Sequence, residues 1–320
     1  MRVIVLGGTW FVGRAVCAAL REHGHEVMVV HRGHNEPEEL AGVAHLHAER
    51  AHWPEQRAEF AAFEPDAAVD ISALNGWGAR RALGALPEGL RLIAISSADV
   101  YRAYESVRRG VQTDAVPLTE SSPLRTGRFL DGPDWENLEL EERYRDAGAA
   151  VLRLGAVYGE HDYQHRLEFV LRRVRAGRRH MPIGSGTFLF SRVYVRDVGT
   201  AVVAALDAPH SAGQTYNVVE SATPSFGLLA SLTAAAADAD LELVRVPDDV
   251  LPPDLSMTGG GKGSGVQHLL ACAAKARDQL GWSETDPDVA LRRAVDWYLR
   301  HPPSDVDQDF TADDLALNQA

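Results

Sequence analysis

The sequence predicts an α/β protein built on a doubly wound parallel sheet, and three observations carry that prediction. An apolar, β-branched run at Val3-Ile4-Val5-Leu6 breaks into a glycine-rich turn, Gly7-Gly8-Thr9-Trp10-Phe11-Val12-Gly13. From Phe11 onward apolar residues recur at helical spacing through Val16 and Leu20, and a β-branched stretch at 26–31 follows, giving strand, helix, strand. Strand and helix patterns then keep alternating as far as Leu154. This is the pattern of a Rossmann-type parallel sheet, which takes its ligands at the carboxyl ends of its strands.

The first turn is the chemically informative one. Glycines between a strand and a helix let the backbone bend sharply and approach a pyrophosphate, whose charge is favoured at the helix N-terminus. Gly7, Gly8, Thr9, Trp10, Phe11, Val12 and Gly13 are therefore the candidate cofactor cradle, although a turn serving only the core has the same outline. Trp10 stands where the usual spacing has a glycine, and its indole is expected over the phosphates or on the substrate side. Past the second strand an acidic residue would bond the adenosine ribose. Here the chain reads His31-Arg32-Gly33, and Arg32 suits a 2′-phosphate, so NADP is preferred, with NAD the alternative.

His45 and His47 fall on one face of a short strand, with His52 beyond. Zinc needs further ligands that the neighbouring sequence does not offer, so a solvated strand face is expected and no metal. Strands follow at 66–72 and 90–97 around a helix at 77–86, then a polar, proline-containing loop to about Pro133. Such loops often cover active sites. A helix over 134–146 and a strand over 150–154 come next.

Beyond Gly159 the order is less regular: helices near 167–175, 198–206, 226–236 and 287–301, strands around 188–195, 214–219 and 241–246. The segment from Thr258 to Gly265 lacks a Ser or Thr after Lys262, so it reads as a linker or lid and not as a phosphate loop. The tail after Pro302 is acidic and poor in apolar residues, and is expected to be peripheral or disordered.

At 320 residues the chain has room for one large or two coupled α/β domains. A net charge of −13 argues against unspecific binding to nucleic acid or an anionic membrane. Cys17 and Cys272, far apart, suggest neither a disulfide framework nor a thiolate metal site. The opening apolar run is too short for a signal peptide, and no run approaches roughly 18 apolar residues. A soluble, cytoplasmic protein acting on a small-molecule substrate is the expectation.

Gly7-Gly8-Thr9-x-Phe11-Val12-Gly13, Ile95-Ser96-Ser97-Ala98-Asp99-Val100-Tyr101, Leu152-Arg153-Leu154-Gly155-Ala156-Val157-Tyr158-Gly159 and Arg192-Val193-Tyr194-Val195-Arg196-Asp197-Val198 together resemble the extended short-chain dehydrogenases/reductases, the NAD-dependent epimerase/dehydratase superfamily. The resemblance covers nearly the whole chain. It implies a dinucleotide-binding domain over 1–160, completed by roughly 192–220, and a smaller C-terminal substrate lobe from 161–191 and 221–320. A homodimer through the helices beginning near Trp77 and Asp134 is also what it implies.

The family's chemistry uses a serine, a tyrosine and a lysine four residues after it. Ser97 matches the serine by position. The Tyr-x-x-x-Lys pair is missing, because Lys262 and Lys275, the chain's only lysines, come far too late. Trp135 and Asn137 replace tyrosine and lysine in a variant pattern. Indole exchanges no proton near neutral pH, and Asn137 carries no charge but offers a bond to a ribose hydroxyl. Another acid or base must then serve. Asp99 is the first candidate, since some dehydratases of the family place carboxylates just after the serine. His161, Asp162 and Tyr163 follow, at the place where the family's substrate sits. Arg166, Arg192 and Arg196 are candidates to meet an anionic substrate, and Tyr101 and Tyr158 read as packed structural residues. Three functions stay open: an NAD(P)-dependent oxidoreductase or epimerase on a small oxygenated metabolite, a non-redox lyase, isomerase or cyclase, and a non-catalytic dinucleotide sensor.

Overall fold

The computed structural model describes residues 1–128, 136–256, 267–304 and 307–320. Asp134, Trp135 and the 258–265 segment with Lys262 lie outside the described residues. The chain opens with β1 (Arg2–Leu6), α1 (Phe11–Glu22), β2 (Glu26–His31), β3 (Ala44–His47), α2 (Arg57–Ala62), β4 (Ala67–Asp70), α3 (Gly76–Ala85) and β5 (Arg91–Ser97). It continues through α4 (Arg102–Arg109), α5 (Asn137–Asp146), β6 (Ala150–Leu154), β7 (Ala156–Tyr158), α6 (Glu168–Arg175), β8 (His180–Ile183), β9 (Arg192–Tyr194), α7 (Val195–Asp207) and β10 (Thr215–Val218). The last elements are α8 (Phe226–Ala236), β11 (Glu242–Arg245), α9 (Ala274–Leu280), α10 (Pro287–Arg300) and α11 (Thr311–Leu317).

Seven strands form one parallel sheet in the order β10-β6-β5-β4-β1-β2-β3, the doubly wound arrangement expected from the sequence. Strand side chains alternate between faces, and here both faces are dry. Val3 and Val5 join Val16, Leu20, Val198 and Val202 on one side. Ile4 and Leu6 join Phe60 and Ala82 on the other. Strand order reverses between β1 and β4, so the carboxyl ends of β1, β4 and β5 open on the crevice where such sheets bind ligands.

Outside the main sheet, β7 pairs with β9 and β8 with β11. Among the described residues no helix is long and apolar enough to cross a membrane.

Three expectations change, and one helix is added. The loop after β5 contains α4, whose sequence RAYESVRR is too polar to read as a helix but buries Ala103 and Ser106 on one face and ends at Gly110 in the left-handed region (φ 66°). The strand expected over 188–195 shortens to β9, because Val195 already begins α7. The short α9 was not visible as a helix in the sequence. The acidic tail is docked: Asp313 in α11 is fully buried, and its carboxylate takes the Nε (2.6 Å) and Nη2 (2.7 Å) protons of the equally buried Arg173. Composition describes a solvated tail, yet a buried guanidinium recruits one of its carboxylates.

Candidate active site

The cradle is shaped by what its glycines exclude. Gly7 adopts φ +94°, a conformation L side chains rarely take, and a Cβ there would meet the Ser72 hydroxyl at 2.6 Å. A Cβ on Gly13 would meet the Gly7 carbonyl oxygen at 2.3 Å, so only glycine lets α1 sit this close to the turn. Thr9 is buried, and its carbonyl accepts the Asn35 side-chain amide (2.8 Å), tying the loop after β2 to the turn. Phe11 is buried and packs with α1's core face, and Val12 packs beside it. Trp10 precedes α1 in extended conformation and points outward, 58 % exposed. Its indole meets the Tyr163 ring edge-on (6.1 Å between centroids), and Tyr163 also meets Phe11 edge-on. Two residues 153 positions apart in sequence thus stand together at the mouth of the turn. Arg32 is exposed just beyond β2. A turn that would be filled by any Cβ, opening onto the N-terminus of a three-turn helix, fits a dinucleotide pyrophosphate.

At the carboxyl end of β5 the chain turns through Ala98 to Val100, and Ser97 and Asp99 are brought to Asn137 at the start of α5. The Ser97 oxygen accepts the Asp99 amide proton (3.2 Å), which leaves the serine hydroxyl proton to donate elsewhere. Asn137 Nδ2 donates to both Asp99 carboxylate oxygens, at 2.9 and 3.1 Å. The Arg125 guanidinium lies 4.0 Å from the same carboxylate and donates from Nε to the Asp99 carbonyl (2.9 Å). Arg125 itself is clamped by Glu136 through two bonds of 3.0 and 2.8 Å.

Burial pushes the Asp99 carboxyl up to about 6, against the pull of Asn137 and Arg125, with Glu136 and Glu141 adding to the rise. Helix α5 is held in place by Glu141, which accepts Ser96 Oγ (2.7 Å) from β5 and a two-bond grip from Arg153 (2.9 and 2.7 Å) of β6. The amide nitrogen of Asn137 faces Asp99, so its Oδ1 is the side-chain atom turned away from that contact.

His161 stands elsewhere. It adopts φ 64°, packs against Trp297 (4.9 Å) and is held below its ordinary pKa first by burial, then by Arg14. Asp162 organises its loop, accepting the amides of Gln164 and Arg166 and the Tyr298 hydroxyl (2.7 Å). Tyr101 and Tyr158 are buried structural residues, bonded to Asn217 (2.6 Å) and Glu220 (2.7 Å).

A cavity of about 580 Å³ is walled by Phe188, Phe190, Phe226 and Tyr158, by Arg166, Arg172 and Arg192, and by the carboxylates of Glu168, Asp254, Asp307 and Asp309; Ser97 and Asp99 are not among its lining residues. Arg192 Nε is paired with Glu220 (2.8 Å), but its buried Nη1 and the Nε of Arg166 have no acceptor. Arg196 is instead paired with Glu160 (3.1 and 2.8 Å).

Two groups escaped the sequence reading. Arg125 lies 26 residues from the residue it supports, and nothing local marks it. Tyr104 sits on the undetected α4, packs its ring 6.3 Å from the cavity's Phe190, and has its hydroxyl pKa raised by burial first and then by Asp99. An i, i+3 reading from Tyr101 along a helix would have found it.

Residues 3–86 and 79–219 match the model of the NAD dependent epimerase/dehydratase family. The chain belongs to this family. Its enzymes are epimerases, dehydratases and reductases. Over 99 % of its length the chain is similar to chloroplast stem-loop binding protein of 41 kDa b from Arabidopsis thaliana, with 24 % identity across 84 % of that protein. It is 29 % identical to 2′-dehydrokanamycin reductase from Streptomyces kanamyceticus over 49 % of this chain and 43 % of the relative. The UDP-glucose-4-epimerase of Stenotrophomonas maltophila, solved with NAD and formylated UDP-arabinopyranose, superposes with a TM-score of 0.73 at 19 % identity, covering 94 % of this chain and 98 % of that one. That likeness concerns the fold.

Proposed function

We propose that this family member is an NADP-binding oxidoreductase or epimerase acting on a small, anionic, oxygenated metabolite such as a nucleotide sugar, with Asp99 as its acid-base group. The observation that carries the reading is the Asp99 carboxyl: buried at the carboxyl end of β5, held by Asn137, and poised near pH 6. A general acid-base group works best with a pKa near the working pH. Asp99 takes and returns the proton of a substrate hydroxyl at its carboxylate oxygen, while Ser97 donates a hydrogen bond to the substrate oxygen. Asn137 and Arg125 hold the carboxylate in position. When bound across Gly7 to Gly13, the cofactor supplies hydride acceptance and return. The aromatic walls of the cavity support a substrate with a flat ring, and Arg166, Arg172 and Arg192 at its lining support one that carries negative charge, beside the carboxylates of Glu168, Asp254, Asp307 and Asp309 that line it too.

A carboxyl in place of tyrosine also suits proton transfer without redox, which is the second reading. Turnover of a nucleotide-sugar panel separates the two. Net change in cofactor absorbance supports oxidoreduction, whereas product formed with no such change and without bound dinucleotide supports a lyase or isomerase.

Cofactor choice has its own test. Replacing Arg32 by alanine removes a charge-assisted bond to the 2′-phosphate, worth about 1.5–3 kcal/mol. Calorimetry is expected to show NADPH affinity falling roughly 10- to 100-fold with NADH affinity unchanged. Equal loss for both would remove the NADP assignment, and failure to bind either would remove the dinucleotide reading.

A further inference from the structure

We propose that His31, Glu36, His45 and His47 form a binding site for a borderline transition-metal dication, Zn(II) above all. The site lies at the edge of the sheet, apart from Ser97 and Asp99. His45 and His47 alternate by two along β3 and so share a face, and His31 of β2 is the register partner of His47. The turn after β2 brings Glu36 back over the same face. One ligand atom from each of the four residues lies within 4.8 Å of every other. Imidazole nitrogens with one carboxylate oxygen are a donor set that suits zinc.

The separations are close to those a metal needs. Tetrahedral zinc with bonds near 2.0–2.1 Å sets its ligand atoms about 3.4 Å apart. In the structure His31 Nε2 and His45 Nδ1 are 2.8 Å apart, His47 Nε2 and Glu36 Oε1 2.6 Å, and His31 Nε2 and Glu36 Oε1 3.9 Å. The narrow gaps therefore open by less than about 1 Å, and the widest closes by about 1.5 Å. Side-chain rotation covers both, because Glu36 and His47 are about half exposed.

Hydrogen bonds around the site prepare the ligands. His45 Nε2 faces the Leu40 carbonyl (3.2 Å), the outer bond that leaves Nδ1 as the bare nitrogen. His31 completes a chain: the Gly33 amide donates to its Nδ1 (3.2 Å), and its Nε2 proton points at His45. For His31 Nε2 to ligate, that proton would move to Nδ1 and displace the Gly33 contact. The loop the metal would fix already bonds the glycine turn through Asn35, so occupancy stiffens one wall of the cradle.

The untagged full-length chain, stripped with chelator, is titrated with Zn(II) by calorimetry and with Co(II) by visible spectroscopy at pH 7.5. The expected result is saturable uptake of one equivalent, with the intense d–d bands of four-coordinate Co(II). Loss of outer-shell partners alone weakens metal sites by roughly 10- to 100-fold. Removing a ligand in His47→Ala or Glu36→Gln is therefore expected to weaken uptake at least tenfold, with circular dichroism unchanged because both side chains are exposed. His52→Ala, exposed on the next segment, is expected to bind as the wild type does. No saturable uptake, or uptake that survives both ligand substitutions, would overturn the proposal.

Discussion

Asp99→Asn is expected to abolish turnover while making the protein more stable. General acid-base groups contribute about 10²- to 10⁴-fold to rate, and an amide in the same place neither takes nor gives a proton. The gain in stability follows from the raised pKa. The folded carboxyl holds its proton to about pH 6, against an ordinary value of 3.8. Between those values the folded state binds more protons than the unfolded chain, so stability falls as pH rises through that window. Above about pH 6 the full penalty of a buried carboxylate is present, on the order of 1–3 kcal/mol. The uncharged amide of the variant removes it, less the cost of setting one amide NH2 against the Asn137 Nδ2 that now donates to both oxygens, and denaturant melts at pH 7.5 read the net difference. At pH 4 wild type and variant are expected to converge. Loss of both activity and stability would mean that the carboxylate is a structural partner of Arg125 and not a poised acid.

The second large effect lies far from the cradle. Asp313→Ala leaves Arg173 buried with Asp254 as its remaining carboxylate partner, at 2.8 and 3.3 Å. Breaking a buried pair by removing one partner typically costs about 3–5 kcal/mol, which in a chain of this size lowers Tm by roughly 5–10 °C. Residues 307–320 are expected to become protease-sensitive at temperatures where the rest of the fold persists. An unchanged melt would show that Asp254 alone neutralises Arg173. Arg172, which bonds Asp254 (3.1 Å) and the Asp307 and Asp309 carbonyls (2.9 and 3.3 Å), ties this anchor to the wall of the cavity.

What the sequence made legible was local or strongly periodic. The Val3–Gly13 pattern carries its own strand, turn and helix. The strand of 26–31 coincides with β2, and the helix of 226–236 with α8. What it concealed depends on partners distant in sequence. β8, His180–Ile183, is a strand only because β11 lies beside it, about sixty residues later. The tail reads as solvated until Arg173 is found inside α6. In the candidate site, Asp99 and Asn137 each stood out for their place in a family pattern, but only the fold joins them across 38 residues. Likewise the spacing of His45 and His47 offered too few metal ligands. Strand pairing and the turn after β2 supply His31 and Glu36.

The central claim is that the proton-transfer group here is the carboxyl of Asp99, poised by burial and restrained by Asn137. Carbon-detected NMR of aspartate-labelled protein, with Asp99→Asn assigning the resonance, measures that titration without knowledge of the substrate. The account predicts a carboxyl that titrates near pH 6 and moves higher in Asn137→Ala, where a bond favouring the charged form is lost. A carboxyl that titrates in the ordinary range below 4.5, unmoved by Asn137→Ala, would contradict it.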